Sequence, residues 1–185
     1  YILNDYEDNH LIYLPSYMEN GYNTGICLYG NGKRDVIRQN KLKSFHLKKD
    51  GIDYKEDIKF GKELHIIAIK GIGNIAELIC VDALERRIID SLIASRVDIV
   101  INPSFSSGYK YFKKTYESFD KSNIIAVWIN TCTAMKSELF DKCYNSGEIS
   151  MLQTCGKNGN HINNKVCNTI CGENENCYFI YQIGV

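Results

Sequence analysis

The sequence predicts a mixed α/β fold, and three observations carry that expectation. Two apolar runs, Ile75–Cys80 and Ile99–Ile101, flank a segment with helical periodicity, the order of a strand, a helix and a strand. The order repeats downstream, where an amphipathic Tyr109–Ser122 precedes the apolar Ile124–Asn130. Upstream, Thr24–Tyr29 and Val36–Gln39 flank Gly30-Asn31-Gly32-Lys33, a turn-forming string between two strand-like runs, so a β-hairpin precedes the α/β units.

Taken in order, residues 1–10 are polar and acidic and read as a frayed start or loop. Leu11–Leu14 reads as a short strand, and Pro15–Tyr22, with its Ser, Asn and Gly, as a loop. After the hairpin, Arg34, Arg38, Lys41, Lys43, Lys48 and Lys49 make a basic stretch that any single lysine could share simply as a solvated side chain. Residues 46–64 are charged and irregular, with Gly51 and Gly61. His65–Lys70 reads as a strand, Gly71-Ile72-Gly73 as a turn and Asn74–Cys80 as the returning strand; no helix follows the Gly-Ile-Gly directly, so it is no phosphate loop.

Cys80 then stands at the carboxyl end of a strand, where open α/β sheets place ligands and where a strand-to-helix turn can present a nucleophile. A buried cysteine acting as a small hydrophobe is the competing reading. Asp82 is a suitable N-cap, and Glu85 three residues on completes a capping-box pair. A helix is predicted over Leu84–Ala94: Leu84, Ile88 and Leu92 with Ile89 and Ile93 form an apolar stripe, and Glu85, Arg86, Arg87, Asp90 and Ser91 fill the other face. Val97–Ile101 restarts as a strand closed by Asn102-Pro103, and Ser104–Gly108 is a loop at the same edge as Cys80. The aromatics Tyr109, Tyr111, Phe112, Tyr116 and Phe119 read as core rather than as a stacking platform. Beyond Met135, Cys167-x3-Cys171 with Cys177 and His161 lacks the paired CxxC of zinc sites, so no metal is expected. Gly156–Glu175 reads as a mobile or inserted loop and Tyr178–Ile183 as a final strand.

With 185 residues the chain is expected to form a single domain, 1–185. Its 22 basic and 22 acidic side chains balance, which argues against direct nucleic-acid contact or binding to an anionic membrane, and no apolar run has the length of a membrane span. The sequence starts at Tyr1 without a methionine, and is expected to be part of a larger chain. The eight cysteines are expected to be mostly thiols, in a reducing, cytoplasmic compartment.

The run ELICVDAL, Glu77–Leu84, resembles the nucleophile segment of the nitrilase, or carbon–nitrogen hydrolase, superfamily, and the strands around VDIVINPS and IIAVWINT follow at similar spacing. YNTGICLYGNGKRDVIRQNKL, Tyr22–Leu42, resembles the family's strand–turn–strand before its lysine motif. The resemblance runs from about Leu11 to the end and implies an α-β-β-α sandwich that is N-terminally truncated. It implies Cys80 as nucleophile, Lys41 as the cation at the oxyanion (Lys43 if the register slips by two) and the Val81 N–H as an oxyanion donor. Asp82, Ser104 and Asn130 would stand around them. Lys41 Nζ and Cys80 Sγ are expected within about 6 Å, the reach of direct charge influence on a thiolate. The implied reaction is hydrolysis of a small-molecule amide or nitrile through an acyl-thioenzyme, with no cofactor and no metal. The implied partners are that substrate, a second copy or the parent chain, with no membrane.

Two departures stand out. The family's first glutamate ends a strand in Pro-Glu, whereas the nearest string here is Leu14-Pro15-Ser16. A second glutamate soon after the lysine would fall among Lys48, Lys49 and Asp50; Glu56 and Glu63 are the acids nearby, neither at the expected place. The alternative is a non-catalytic structural or regulatory module of a larger protein, of the kind fused beside reverse transcriptases.

Overall fold

The structure is a computed structural model that describes residues 10–30, 35–69, 72–106, 109–131, 134, 148–154 and 161–166. The chain divides into two compact units, residues 1–65 and 66–185.

The first unit is built from hairpins. Strands β1 (His10–Glu19), β2 (Tyr22–Gly30) and β3 (Asp35–Asn40) form an antiparallel sheet in that order. The predicted hairpin is there, with Thr24 opposite Asn40 and Leu28 opposite Val36. The predicted loop at Pro15–Tyr22 is not. β1 continues to Glu19 and turns through Asn20-Gly21 into β2. Pro15 is accommodated because β1 is an edge strand and its register slips between Leu14 and Tyr17, so the missing N–H interrupts little of the ladder. Asn20 and Gly21 take φ of 52° and 84°, the left-handed pair that a two-residue hairpin turn demands. The stretch expected to be irregular holds a second hairpin, β4 (His46–Lys49) and β5 (Ile52–Lys55), turned by Asp50-Gly51 in the same conformation, with φ of 51° and 76°.

The second unit is a six-stranded mixed sheet in the order β11-β10-β9-β8-β7-β6. β6 (Ile66–Ile69) runs antiparallel to β7 (Gly73–Glu77). β7, β8 (Ile99–Ser104) and β9 (Ile125–Asn130) are mutually parallel neighbours. β10 (Glu148–Thr154) and β11 (His161–Val166) add antiparallel strands beyond β9. Parallel neighbours need crossovers, and the helices α1 (Arg86–Ala94) and α2 (Lys113–Lys121) supply them. Ala76, Leu78, Val100, Ala126 and Trp128 on the strands and Leu92, Phe112, Tyr116 and Phe119 on the helix segments are sealed from water. The Phe112 ring lies 5.9 Å from Trp128 and 6.2 Å from Tyr116. Each such aromatic contributes about 2–3 kcal/mol through burial. Of the aromatics predicted as core, Phe112, Tyr116 and Phe119 are buried and Tyr111 is exposed; the side chain of Tyr109 lies outside the described residues.

Three expectations change in this unit. The helix after Cys80 is split: a 3-10 turn spans Cys80–Leu84 and α1 begins only at Arg86, with Glu85 at its N-cap making no side-chain cap bond. Leu84 consequently leaves the apolar stripe and is exposed, while Ile89 and Leu92 carry the buried face. Asp82 does not cap α1, because its carboxylate is turned back toward β7. Within the predicted loop Gly156–Glu175, His161–Val166 is a strand; pairing with β10 satisfies a backbone that a loop would leave to solvent. Residues 1–9, the 31–34 part of the first hairpin's turn, Tyr178–Ile183 and the cysteines from Cys132 onward lie outside the described residues.

Candidate active site

In the second unit three side chains of interest occupy the carboxyl ends of adjacent parallel strands. β7 ends at Glu77, but the chain keeps to the sheet one residue further, Leu78 N–H donating to Ile101 O at 2.9 Å. Then the backbone breaks sharply. Cys80 adopts φ of 52°, left-handed and non-glycine, a conformation that costs about 1–2 kcal/mol. The turn is braced from both sides. Asp82, fully buried, accepts from the Ile79 N–H through Oδ2 at 3.3 Å, while its own N–H donates to Ile79 O at 3.2 Å. On α2, Thr115 Oγ1 donates to Ala83 O at 2.7 Å. The Cys80 thiol is 7% exposed and donates to the backbone oxygen of Phe105 at 3.7 Å. Val81, half-buried, sits in the first turn of the 3-10 helix, whose leading N–H groups have no acceptor inside so short a helix.

The ends of β8 and β9 complete this edge. Ser104 Oγ donates to Asn102 Oδ1 at 3.1 Å, and Asn102 Nδ2 donates to the Tyr116 hydroxyl at 3.0 Å, so Ser104 belongs to a buried polar chain reaching α2. Burial pushes the Tyr116 phenol well above its usual range; the Asn102 hydrogen bond offsets part of this, and negative charge on Cys80 adds to it. Asn130, opposite Ser104 in register, grips the next loop: it accepts from Ser106 N–H at 3.0 Å and donates to Ser106 O at 2.7 Å. Glu77, three residues before Cys80, is 4% exposed, and its Oε1 has no hydrogen-bond partner among the described residues. Burial pushes its carboxyl up to about 8.

The first unit holds a separate charged cluster. Lys41 follows β3 directly, its N–H donating to Asn23 O at 2.8 Å and its O accepting from Gly61 N–H at 2.9 Å. Its side chain is almost wholly buried and pairs with the Glu56 carboxylate. Glu56 also accepts from the Phe45 N–H at 2.9 Å and from Asn23 Nδ2 at 3.0 Å. Burial is the largest influence on the Glu56 carboxyl and works to raise it; hydrogen bonds from Lys41, Phe45 and Asn23 and the charge of Lys41 together outweigh it and hold the group below its ordinary range. Lys43, the other register, is exposed. A lysine buried in this way is held by a carboxylate, not solvated as part of a basic stretch.

Sequence reasoning found Glu56 available but not well placed for the family's second glutamate; the structure pairs it with Lys41. The signal was Asp50-Gly51: a two-residue turn folds the chain back so that Glu56 N–H donates to Phe45 O at 2.9 Å, bringing Glu56 beside the residues that follow Lys41. Glu63, the other candidate, has an exposed side chain 3.5 Å from His65. Among the described residues no group of three His, Cys, Asp or Glu could hold a metal, and no helix is long and apolar enough to cross a membrane.

A mixed sheet whose parallel strands bring a strained cysteine turn, a polar loop and an asparagine to one edge defines an α/β protein, a class whose ligand sites lie at the carboxyl ends of the strands. Known structures give the particular fold: it is that of the nitrilase superfamily. Nit3 from Saccharomyces cerevisiae, a member of branch 10 of the nitrilase superfamily, matches over 76% of this chain and 51% of its own, with a TM-score of 0.53 and 19% identity. The C. elegans NitFhit protein matches over 80% of this chain and 40% of its own, with a TM-score of 0.58 and 17% identity. The chain thus spans about half the length of the first and two-fifths of the second. No protein-family model matches the sequence, and no curated protein matches it.

Proposed function

We propose that the chain carries a carbon–nitrogen hydrolase centre that opens a small amide or nitrile through a cysteine acyl-thioenzyme. The observation that carries this reading is the left-handed backbone of Cys80 at the end of an inner parallel strand. A cysteine that merely filled space would not need a strained turn, and such strain concentrates where a side chain must be aimed. For an amide, the Cys80 thiolate adds to the carbonyl carbon, and the oxygen takes the charge, stabilised by the Lys41 ammonium and the Val81 N–H. Collapse breaks the carbon–nitrogen bond as a general acid gives the leaving nitrogen its proton; the same group, now a base, takes a proton from the water that attacks the thioester and releases the acid and the free thiol. Glu56, paired with Lys41, holds its side chain in place through the step. Asp82 holds the turn, and Ser104 and Asn130 shape the edge. Proton transfer needs a general base and acid. The family takes it from a glutamate after proline, and neither proline of this sequence, Pro15 or Pro103, is followed by one. The alternative reading is a non-catalytic module of a larger protein.

Limited alkylation with iodoacetamide at pH 8, read by peptide mass spectrometry, tests the thiol without requiring turnover. Cys80 should label first among the eight cysteines, and, since the proposal makes Lys41 the cation of the reaction, Lys41→Ala should slow it several-fold. Labelling confined to other cysteines, with Cys80 silent in native protein, would remove the hydrolase reading and leave the fold. If Cys80 labels but no amide is hydrolysed by the chain, the module reading gains.

A further inference from the structure

We infer that Asn130 is a positioning residue that sets how readily Cys80 ionises, by clamping the Phe105 carbonyl against the thiol. The inference rests on the proposed role of Cys80 and deepens it. Asn130 closes β9 and holds both backbone groups of Ser106, its Oδ1 accepting from the N–H at 3.0 Å and its Nδ2 donating to the O at 2.7 Å. Ser106 is buried and Asn130 half-buried, so this reciprocal pair is partly shielded from competing water. The peptide between Phe105 and Ser106 is therefore fixed at its Ser106 end. Its oxygen, Phe105 O, is the acceptor for the Cys80 S–H at 3.7 Å. A carbonyl that accepts from a thiol stabilises the neutral form and opposes the thiolate. The start of the helical turn at Cys80 acts the other way. One influence belongs to the turn itself and the other is delivered across the sheet edge by Asn130, so a side chain two strands away tunes the nucleophile.

Among the described residues of its unit, the titratable groups closest to Cys80 along the chain are Glu77 on β7, Asp82 on its own turn and Glu85 at the N-cap of α1, and Tyr116 on α2 feels its charge. A substitution at Asn130 changes none of them, so their influence is common to parent and variant.

The test is a thiolate titration by absorbance near 240 nm, each chain measured against its own Cys80→Ala counterpart to isolate Cys80 from the other cysteines. Asn130→Ala should move the Cys80 midpoint to lower pH by about one unit, a tenfold gain in thiolate below the midpoint. An unmoved or raised midpoint overturns the clamp. Trp128 emission reports whether the variant is folded, and Asn130→Leu, closer in size and equally unable to hydrogen-bond, replaces it if it is not. In the parent itself, the Ser106 N–H should exchange slowly with deuterium, and fast exchange there also overturns the clamp. The two proposals fail separately. A midpoint that moves while amides never acylate Cys80 removes the hydrolase and keeps the clamp; acylation with an unmoved midpoint does the reverse.

Discussion

Replacing Glu77 by glutamine should flatten the pH dependence of stability of the second unit. Glu77 is 4% exposed, its Oε1 has no partner among the described residues, and burial pushes its carboxyl from the ordinary 4.5 up to about 8. Between those two values the folded chain keeps a proton that the unfolded chain has released. The contribution is full below pH 4.5, falls as pH rises through the window, and levels off above about 8. The slope is about 1.4 kcal/mol per pH unit, so the parent should lose about 4 kcal/mol from this one group between roughly pH 5 and pH 8. Glutamine keeps the shape and carries a burial cost that does not change with pH. Every other titrating group is shared, so the difference between the two chains isolates Glu77. Urea unfolding followed by Trp128, the chain's one tryptophan, reads the sheet that Glu77 belongs to. With an m-value of about 2 kcal/mol/M, the parent's midpoint should fall by about 2 M relative to Glu77→Gln across that range. Midpoints that stay parallel with pH would refute the buried, proton-holding carboxyl.

Glu56→Ala should cost about 3–5 kcal/mol, since it strands the buried Lys41 ammonium; far-ultraviolet circular dichroism in urea reads the loss. Because the Glu56 carboxyl is held below 4.5 when folded, the parent's contribution from this pair should persist above that pH and vanish on acidification, and Glu56→Gln should lack this acid limb. Gly61→Ala places a Cβ 2.6 Å from Asn40 O, so the segment that bonds Lys41 must shift, at a cost of about 1–3 kcal/mol in the same assay. Tyr116→Phe should cost about 1–3 kcal/mol by leaving the buried Asn102 amide without its acceptor, measured by the Trp128 transition.

What could be read in advance follows from where the forces are local. The parallel strands were legible because Ile75-Ala76, Ile99–Ile101 and Ile125–Ile129 are unbroken apolar stretches. The helix start after Cys80 was not: Asp82 carries the signature of an N-cap, but its carboxylate binds the N–H of Ile79, three residues back, and the α-helix waits until Arg86. That choice is made by the strained turn, which no local pattern announces. Two hairpins were missed although their turns, Asn20-Gly21 and Asp50-Gly51, are the strongest short-range hairpin signals there are. Charge along residues 46–64 masked the second, and with it Glu56. Lys41 was singled out by resemblance, and Cys80 by its place at a strand end together with that resemblance. The grip of Asn130 on Ser106 spans 24 residues and has no trace in spacing.

The different wiring of the two units sets their folding speeds apart. β1 with β2 and β4 with β5 pair across two-residue turns, and such hairpins close in about 1–10 μs. Ile75 meets Ile99, and Ile99 meets Ile125, only after a whole helix has been laid down between them. Loop-closure entropy must be met before those pairings return anything, which places the parallel sheet among the slow, non-local assemblies. Trp128 lies beyond the second crossover, buried in β9, so its emission should mark the last event of refolding, after circular dichroism has already recorded the hairpins. During that interval the parallel strands' edges are open to other chains, and dilute refolding should recover more native protein than concentrated refolding.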